Sequence, residues 1–210
     1  MLVVPEMMLK MSDNPFRMVT HYWDMETTGV HPESCQILTI QYQQLDPHDG
    51  SPHGPLTILR SWESSEAEIL LHFLDYVFAT PDDQWRFVPM GFNLMYDLTV
   101  LWHRARTVLN RSLDLTWLFY RQPMLDLKHL AVILNRGCFK GASNSWLTGK
   151  PSNGAEVPQW AQQGHYDLIE KYIREEAACD IAFYQAVLST LSSLRNTLRQ
   201  QIRPTHRWYI

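Results

Sequence analysis

Two acidic residues, Asp24 and Glu26, stand two positions apart at the end of an apolar stretch that continues into Thr27-Thr28-Gly29. Alternate residues of a β-strand point to the same face, so the two carboxylates would lie side by side. Crowded carboxylates repel each other and resist burial unless a divalent cation lies between them. The pair therefore indicates a metal site, although a strand that simply ends in two solvated acids would show the same pattern.

A second candidate is Asp97, which comes shortly after the segment Gly91-Phe92-Asn93. The helical pattern after that segment places Asp97 in a first helical turn, where the helix dipole favours an anion. That preference alone is sufficient reason for an acid at this position, with Asn93 as the N-cap. Asp97 therefore becomes a candidate metal ligand only in combination with the other acids.

The third candidate, Asp180, lies in a late helical segment among small or apolar neighbours. Such a segment is expected to pack inward, and a buried helical Asp requires a partner for its charge. Glu176 lies four residues earlier and therefore shares its helix face. The alternative is an ordinary solvated patch made of Arg174, Glu175 and Glu176, with Asp180 at the edge of the core.

Together these three elements resemble the motifs of the DEDD superfamily of 3′→5′ exonucleases, over about residues 18–188. The first family motif, Asp-x-Glu followed by a Thr-Gly turn, is matched by the segment Asp-Met-Glu-Thr-Thr-Gly. The second, an Asn followed by an aromatic residue and an Asp, matches Asn93, Tyr96 and Asp97. The third motif ends in an Asp on a late helix and matches Asp180.

The resemblance implies an α/β fold of the ribonuclease H-like class, with a mixed five-stranded sheet flanked by helices. It also implies phosphodiester hydrolysis with two Mg²⁺ or Mn²⁺ ions, about 3.5–4 Å apart, that clamp the scissile phosphate. In that scheme Asp24 bridges both ions. Glu26 and Asp180 share the water-activating ion, while Asp97 acts through waters on the other. Ligands that are all oxygen suit these hard ions rather than zinc.

The third motif departs from the family pattern. The family has a Tyr four residues, or a His five residues, before its last Asp, and this side chain acts on the attacking water. Here those positions are occupied by Glu176 and Glu175. Glu176 is our candidate for the same role, because a carboxylate can accept a proton from metal-bound water. It would otherwise add a metal ligand or be an exposed Glu on a charged turn, and Tyr172 is a weaker substitute.

Candidate substrate contacts follow from the same resemblance. Thr27 and Thr28, directly after the first motif, would approach the terminal nucleotide. Phe92 and Asn93 belong to the second motif, and Phe92 would form a wall of the base pocket, although core packing explains it equally well. Lys140 lies in a segment that also carries aromatic residues, a combination that suits phosphates and bases of a single strand.

The elements that must position these residues can be read from the hydrophobic pattern. A turn is expected over residues 46–55, and Ser65 with Glu68 has the spacing of a capping box at a helix start. The composition of residues 135–164 indicates a long ordered loop. The pattern of residues 165–201 indicates either one long helix with a bend or two abutting helices. Strands are predicted over residues 18–25, 36–45, 56–62, 86–90 and 124–126, and further helices over residues 93–106 and from 127 to 134.

Composition and charge set the broad class. The chain has 210 residues, 45% of them hydrophobic, and a formal net charge of −4, as expected of one folded domain rather than a generally basic nucleic-acid-binding protein. We predict an N-terminal arm over residues 1–17 and a single domain over residues 18–210 that includes a C-terminal helical tail. Three scattered cysteines, no apolar run of membrane length and no secretory pattern lead us to expect a cytoplasmic protein without a membrane partner.

The expected activity is 3′→5′ hydrolysis at the 3′ ends of single-stranded DNA or RNA. The alternative is a catalytically impaired domain that binds nucleic acid or a protein partner, which the unusual Glu175 and Glu176 favour. A weaker third interpretation is an endonuclease or a relative of transposition enzymes that uses the same two metals. The spacing of Asp24 and Glu26 fits the exonuclease better.

Overall fold

A computed structural model of the protein describes residues 19–78, 86–149 and 154–201. The predicted arm over residues 1–17 lies outside these ranges, and the domain boundary at residue 18 remains a prediction. The chain order is three strands, a helix, a strand, a helix, a short strand and then helices only.

The centre of the fold is a mixed sheet of five strands in the order β3-β2-β1-β4-β5. β1 pairs antiparallel with β2 and parallel with β4, so it occupies the middle of the sheet. This confirms the predicted α/β class with a mixed five-stranded sheet flanked by helices. The strands are β1 (Thr20–Thr27), β2 (Ile37–Leu45), β3 (Pro52–Arg60), β4 (Val88–Gly91) and β5 (Leu125–Asp126).

Helices cover both faces of the sheet. Two short turns supplement them, a π-helical turn at Trp117–Arg121 and a 3₁₀ turn at Gly154–Glu156. Within the described ranges, no helix combines the length and apolar character needed to cross a bilayer. The helices are α1 (Glu66–Val77), α2 (Leu94–Leu109), α3 (Leu127–Leu134), α4 (Asn144–Thr148), α5 (Val157–Gln163) and α6 (Tyr166–Gln201).

Strand alternation divides β1 between two cores. Trp23 points to the side of α1 and α2, where its ring stacks on Phe73 with 5.5 Å between ring centroids. Tyr22 points to the opposite side and packs in a cluster with Ala177 and Ile181 of α6. Asp24 and Glu26 lie on the same face of β1 as Tyr22, because they follow it at intervals of two residues. β1 therefore directs both acidic side chains toward α6.

Several element predictions were wrong in detail. The stretch 135–164 is not a plain loop, because α4, the 3₁₀ turn and α5 lie within it. Of the two alternatives predicted for residues 165–201, the structure has the single long helix, over residues 166–201. β3 begins at Pro52 and ends at Arg60, earlier than predicted, because residues 52 and 53 still pair with β2 in an antiparallel register. The predicted pair β5 and α3 is confirmed at its predicted position.

Local capping signals gave mixed results. Ser65 caps α1 as expected, since the Glu68 backbone amide donates to Ser65 Oγ at 3.2 Å. The Glu68 side chain accepts from Ser65 Oγ at 3.1 Å, whereas in a capping box it accepts from the backbone amide of the N-cap residue. Asn93 precedes α2 as expected but does not cap it with its side chain. It adopts a left-handed conformation with φ of 68°, and its backbone N–H donates to Asp126 Oδ1 at 2.9 Å.

The close approach of β4 to β1 yields a stability prediction. A Cβ atom at Gly91 would fall 2.4 Å from the Trp23 carbonyl oxygen and 2.9 Å from Leu94 Cδ2. Gly91→Ala should therefore lower the free energy of unfolding by about 1–3 kcal/mol, measured by urea denaturation. Gly29→Ala is the matched control, because no atom lies within 4 Å of its added Cβ. Equal stability of the two variants would contradict this packing.

Candidate metal centre

Three carboxylates from two elements meet beside the centre of the sheet. Asp24 and Glu26 come from β1, and Glu176 comes from α6. One ligand oxygen from each lies within 4.8 Å of the other two. Oxygens bound to one Mg²⁺ at about 2.1 Å lie no more than about 4.2 Å apart, so a small inward movement would let the three share an ion.

Asp97 and Asp180 belong to the same neighbourhood. Asp97 is buried in the first turn of α2, where burial and the negative charges of Asp24 and Glu176 raise its pKa well above the usual value. Asp180 is also buried, at 1% exposure. Burial likewise raises the pKa of Tyr22, with further contributions from the charges of Asp24, Asp180, Glu176 and Glu26. Three elements far apart in the chain, β1, α2 and α6, thus contribute negative charge to one region.

The two glutamates at the unusual positions have different surroundings. Glu176 faces the carboxylates from β1. Glu175 has a side chain that is 40% exposed and lies 3.9 Å from Lys171 Nζ, one turn earlier on the surface of α6. The geometry therefore selects Glu176, rather than Glu175, as the glutamate that belongs to the acidic cluster.

Asp24 is held by a buried chain of hydrogen bonds from β2. Gln41 Nε2 donates to Asp24 Oδ2 at 2.8 Å, and Thr39 Oγ1 donates to Gln41 Oε1 at 2.9 Å. The bond to Thr39 fixes the amide so that its NH₂ group must point at the carboxylate. Asp24 can then present its other oxygen, Oδ1, to a cation.

Asp180 is held from the opposite side by α4. The Asn144 side chain donates to Asp180 Oδ1 at 2.7 Å and lies 3.4 Å from Glu176 Oε1. An amide with two donors can satisfy two carboxylates one helical turn apart. The first residue of α4 thereby connects the segment between α3 and α5 to the acids of α6.

Tyr172 lies one helical turn before Glu176 on α6, and its side chain is buried. Burial raises the pKa of its phenol, and so do the charges of Glu26 and Glu176 and a hydrogen bond with Glu176. A Cβ atom at Gly154 would lie 3.1 Å from the Tyr172 hydroxyl and 3.9 Å from Glu26 Oε2. The hydroxyl therefore reaches the acidic cluster, although Tyr172 was only a weaker candidate in the sequence analysis.

The predicted substrate residues surround the cluster in different ways. Thr27 Oγ1 donates to the Gly29 carbonyl at 2.7 Å, and Thr28 Oγ1 accepts the Gln36 amide at 2.9 Å, so both hydroxyls hold the turn after β1. Phe92 is partly buried against the Tyr22 cluster, and Asn93 contributes its backbone amide to Asp126. Lys140 is exposed. Their contacts with substrate remain predictions.

Sequence reasoning missed Gln41 and Asn144. Gln41 had a weak signal, since it is a polar residue between the apolar Ile40 and Tyr42 of a predicted strand, and a buried polar residue requires a partner. Asn144 had none, because it lies in a stretch rich in small polar residues where any Asn is expected at the surface.

The sequence matches no family model and no curated protein. Solved structures do match. E. coli exonuclease I in complex with a dT13 oligonucleotide aligns with a TM-score of 0.57 at 14% identity, over 87% of this chain and 43% of that one. The zinc-bound complex of E. coli exonuclease I with single-stranded DNA gives 0.58 at 14% identity over the same shares. The fold is similar to that of exonuclease I.

This chain spans less than half the length of those exonuclease I chains. At such low identity the likeness establishes the fold: a mixed sheet flanked by helices, which the sequence predicted. It agrees with the exonuclease fold class that the motifs indicated. The chemistry of the site must be argued from the side chains present in this chain.

The raised pKa of Asp97 predicts a stability effect. A carboxyl whose pKa is raised by folding contributes stability below its unfolded value, about 3.9, and loses that contribution as the pH rises through the folded value. In EDTA at pH 7, Asp97→Asn should therefore be about 1 kcal/mol more stable than the wild type, and the difference should shrink toward pH 4. Thermal unfolding at several pH values measures it. An equally large gain at pH 4 would contradict an origin in carboxylate repulsion.

The hydrogen bond from Gln41 predicts an effect on metal affinity. Gln41→Leu keeps a side chain of similar size but leaves Asp24 Oδ2 without its donor. Affinity for Mn²⁺, measured by calorimetry, should fall by about 10–100-fold, as for other partners of metal ligands. Gln43→Leu is the control, since Gln43 donates only to the Gly54 carbonyl. Equal Mn²⁺ affinity in the two variants would show that the hydrogen bond from Gln41 to Asp24 does not support metal binding.

Proposed function

We propose that this chain is a divalent-metal-dependent nuclease that removes nucleotides from the 3′ ends of single-stranded DNA or RNA. The observation that carries the proposal is the convergence of Asp24, Glu26 and Glu176 within 4.8 Å, beside the buried Asp97 and Asp180. The similarity of the fold to exonuclease I, and the motif order that resembles the DEDD superfamily, support the same assignment.

The donor set fits hard divalent cations. Every ionisable side chain in the cluster offers carboxylate oxygens, which suit Mg²⁺ or Mn²⁺. Burial raises the pKa of Asp97, and the negative charges of Asp24 and Glu176 raise it further, so a divalent cation would be favoured there. Two bound ions would supply the clamp for a phosphate and the activation of a water.

The residues of the chain divide this work by position. Asp24, Glu26 and Glu176 would hold one ion, with Asp180 beside Glu176. Asp97 would act on the second ion together with Asp24. Gln41 and Asn144 would orient Asp24 and Asp180 through the hydrogen bonds described above.

Glu176 would accept the proton of a water that attacks the phosphate. Its carboxylate also forms a hydrogen bond with the Tyr172 hydroxyl. The Tyr172 phenol keeps its proton because its pKa is raised, so it can donate to Glu176 or to a water. The Glu176 and Tyr172 pair would therefore replace the single Tyr or His of the related exonucleases.

A catalytically impaired binding module is the second candidate. The specific observation that favours it is the occupation of both standard water-orienting positions by glutamate, Glu175 and Glu176. Such a module would bind single strands or a protein without cleaving. An endonuclease would instead cut internally and produce no ladder from one end.

The decisive assay is incubation of 5′-labelled single-stranded DNA and RNA with the protein and Mg²⁺ or Mn²⁺. We expect a ladder that shortens from the 3′ end, at least about 100-fold slower in Asp24→Asn, since a metal ligand is lost. Binding without cleavage under each metal would establish the second candidate instead. Internal products would establish the endonuclease.

The role of Glu176 is tested with its neighbour as control. Glu176→Gln should lower metal-dependent turnover by about 10²–10⁴-fold and change the pH profile, because a proton acceptor and ligand is lost. Glu175→Gln should have turnover close to the wild type, since Glu175 points to the surface. Identical rates and pH profiles for Glu176→Gln and the wild type would exclude Glu176 from the mechanism.

A further inference from the structure

The segment of residues 127–155 is basic in a chain whose overall charge is negative. It contains no Asp or Glu, whereas the whole chain has 22 acidic and 18 basic residues and a net charge of −4. An uninterrupted positive stretch beside an acidic cluster is a candidate contact for a polyanion. Its cations are Lys128, Arg136, Lys140 and Lys150, of which Lys150 lies outside the described residues.

Lys128 of α3 lies between two aromatic rings. Its Nζ atom is 5.4 Å from the centroid of the Phe92 ring and 4.7 Å from that of Phe139. It also donates to the Ala142 carbonyl at 2.6 Å. An ammonium group has three N–H donors, so this arrangement fixes the position of the cation and leaves donors for a further ligand.

The Phe139 ring is available for stacking. Its side chain is 65% exposed, so part of the ring is accessible to a ligand. Contact with the Lys128 cation explains the position of the ring, since cation–π attraction operates within about 6 Å. The same contact leaves the ring surface open to solvent. We name the surface formed by Phe92, Lys128 and Phe139 the aromatic-lysine surface.

The aromatic-lysine surface adjoins the acidic cluster on two sides. Phe92 directly follows β4, whose parallel register pairs Met90 with Tyr22, so Phe92 continues beside the level of Asp24. On the other side, the Ala142 carbonyl that accepts from Lys128 is two residues before Asn144, the donor to Asp180. A strand whose end lies at the acids would pass over this surface.

We propose that the aromatic-lysine surface binds an unpaired nucleotide of the substrate strand next to the metal centre. The base stacks on Phe139, and the adjoining phosphate accepts a hydrogen bond from Lys128. The inference rests on the proposed function for the placement of the strand end at the acids. Stacking on Phe139 requires an open base face, so the surface selects single strands over duplexes, in which neighbouring pairs cover both faces.

Binding is tested by fluorescence anisotropy in EDTA, with the full chain and a labelled oligothymidylate of about 12 nucleotides. Phe139→Ala should weaken binding about tenfold, while affinity for an abasic strand with the same number of phosphates should be unchanged. Tyr120→Ala is the matched control, because Tyr120 is an aromatic residue with 85% exposure outside this surface. Equal losses for the two oligonucleotides would overturn the stacking role.

The cation is tested by salt dependence. Lys128→Met keeps the aliphatic stem and should reduce the slope of log affinity against log salt by about 0.7, the loss of one phosphate contact to a single strand. Lys128→Arg should restore the slope. Lys171→Met is the control, because Lys171 is 72% exposed on α6. Thermal unfolding of each variant confirms that the fold is retained.

The outcomes separate this inference from the proposed function. Wild-type cleavage with unchanged binding in Phe139→Ala and Lys128→Met would overturn the inference and leave the nuclease assignment intact. Strand binding that depends on both residues, without cleavage under any metal, would support the inference and overturn the assignment. A duplex that competes as well as the single strand, or no strand binding by the wild type, would contradict the inference.

Discussion

Mutual repulsion among carboxylates is the constraint on which this structure depends. Asp24, Glu26, Asp97, Glu176 and Asp180 are brought into one region, and two of them are nearly excluded from solvent. Each additional negative charge raises the free energy of the folded state unless protons or cations compensate it. Burial raises the pKa values of Asp97 and of the neighbouring Tyr22, and the surrounding carboxylates raise them further. A fold that keeps such a cluster sacrifices stability for a site that divalent cations can occupy.

The rest of the architecture holds these charges together. The central strand β1 is paired on both sides, so its two acids have little freedom to separate. α6 packs against the strand through an apolar cluster and carries Glu176 and Asp180, while α2 carries Asp97. Amide groups from β2 and α4 then fix individual carboxylate oxygens. The apolar packing provides the stability, and the hydrogen bonds provide the orientation that metal ligands require.

The sequence predicted the sheet, the long helix and the acidic residues, because short-range sequence patterns indicate each of them. Alternation placed Asp24 and Glu26 on one face, and helical spacing placed Glu176 with Asp180. Sequence reasoning failed where the role of a side chain depends on a partner that is distant in the chain. Gln41 and Asn144 acquire their roles from residues that lie 17 and 36 positions away, respectively. Asn93 adopts a left-handed conformation without a capping bond from its side chain, and its backbone N–H donates to Asp126, 33 positions away.

The central claim is that the acids converge because they bind divalent cations, and anomalous diffraction from crystals soaked in Mn²⁺ tests it most directly. The account predicts strong Mn²⁺ peaks bounded by Asp24, Glu26 and Glu176, with a second ion on the side of Asp97, and their absence in Asp24→Asn crystals. Saturating Mn²⁺ without a peak among these carboxylates, or peaks only elsewhere on the surface, would contradict it.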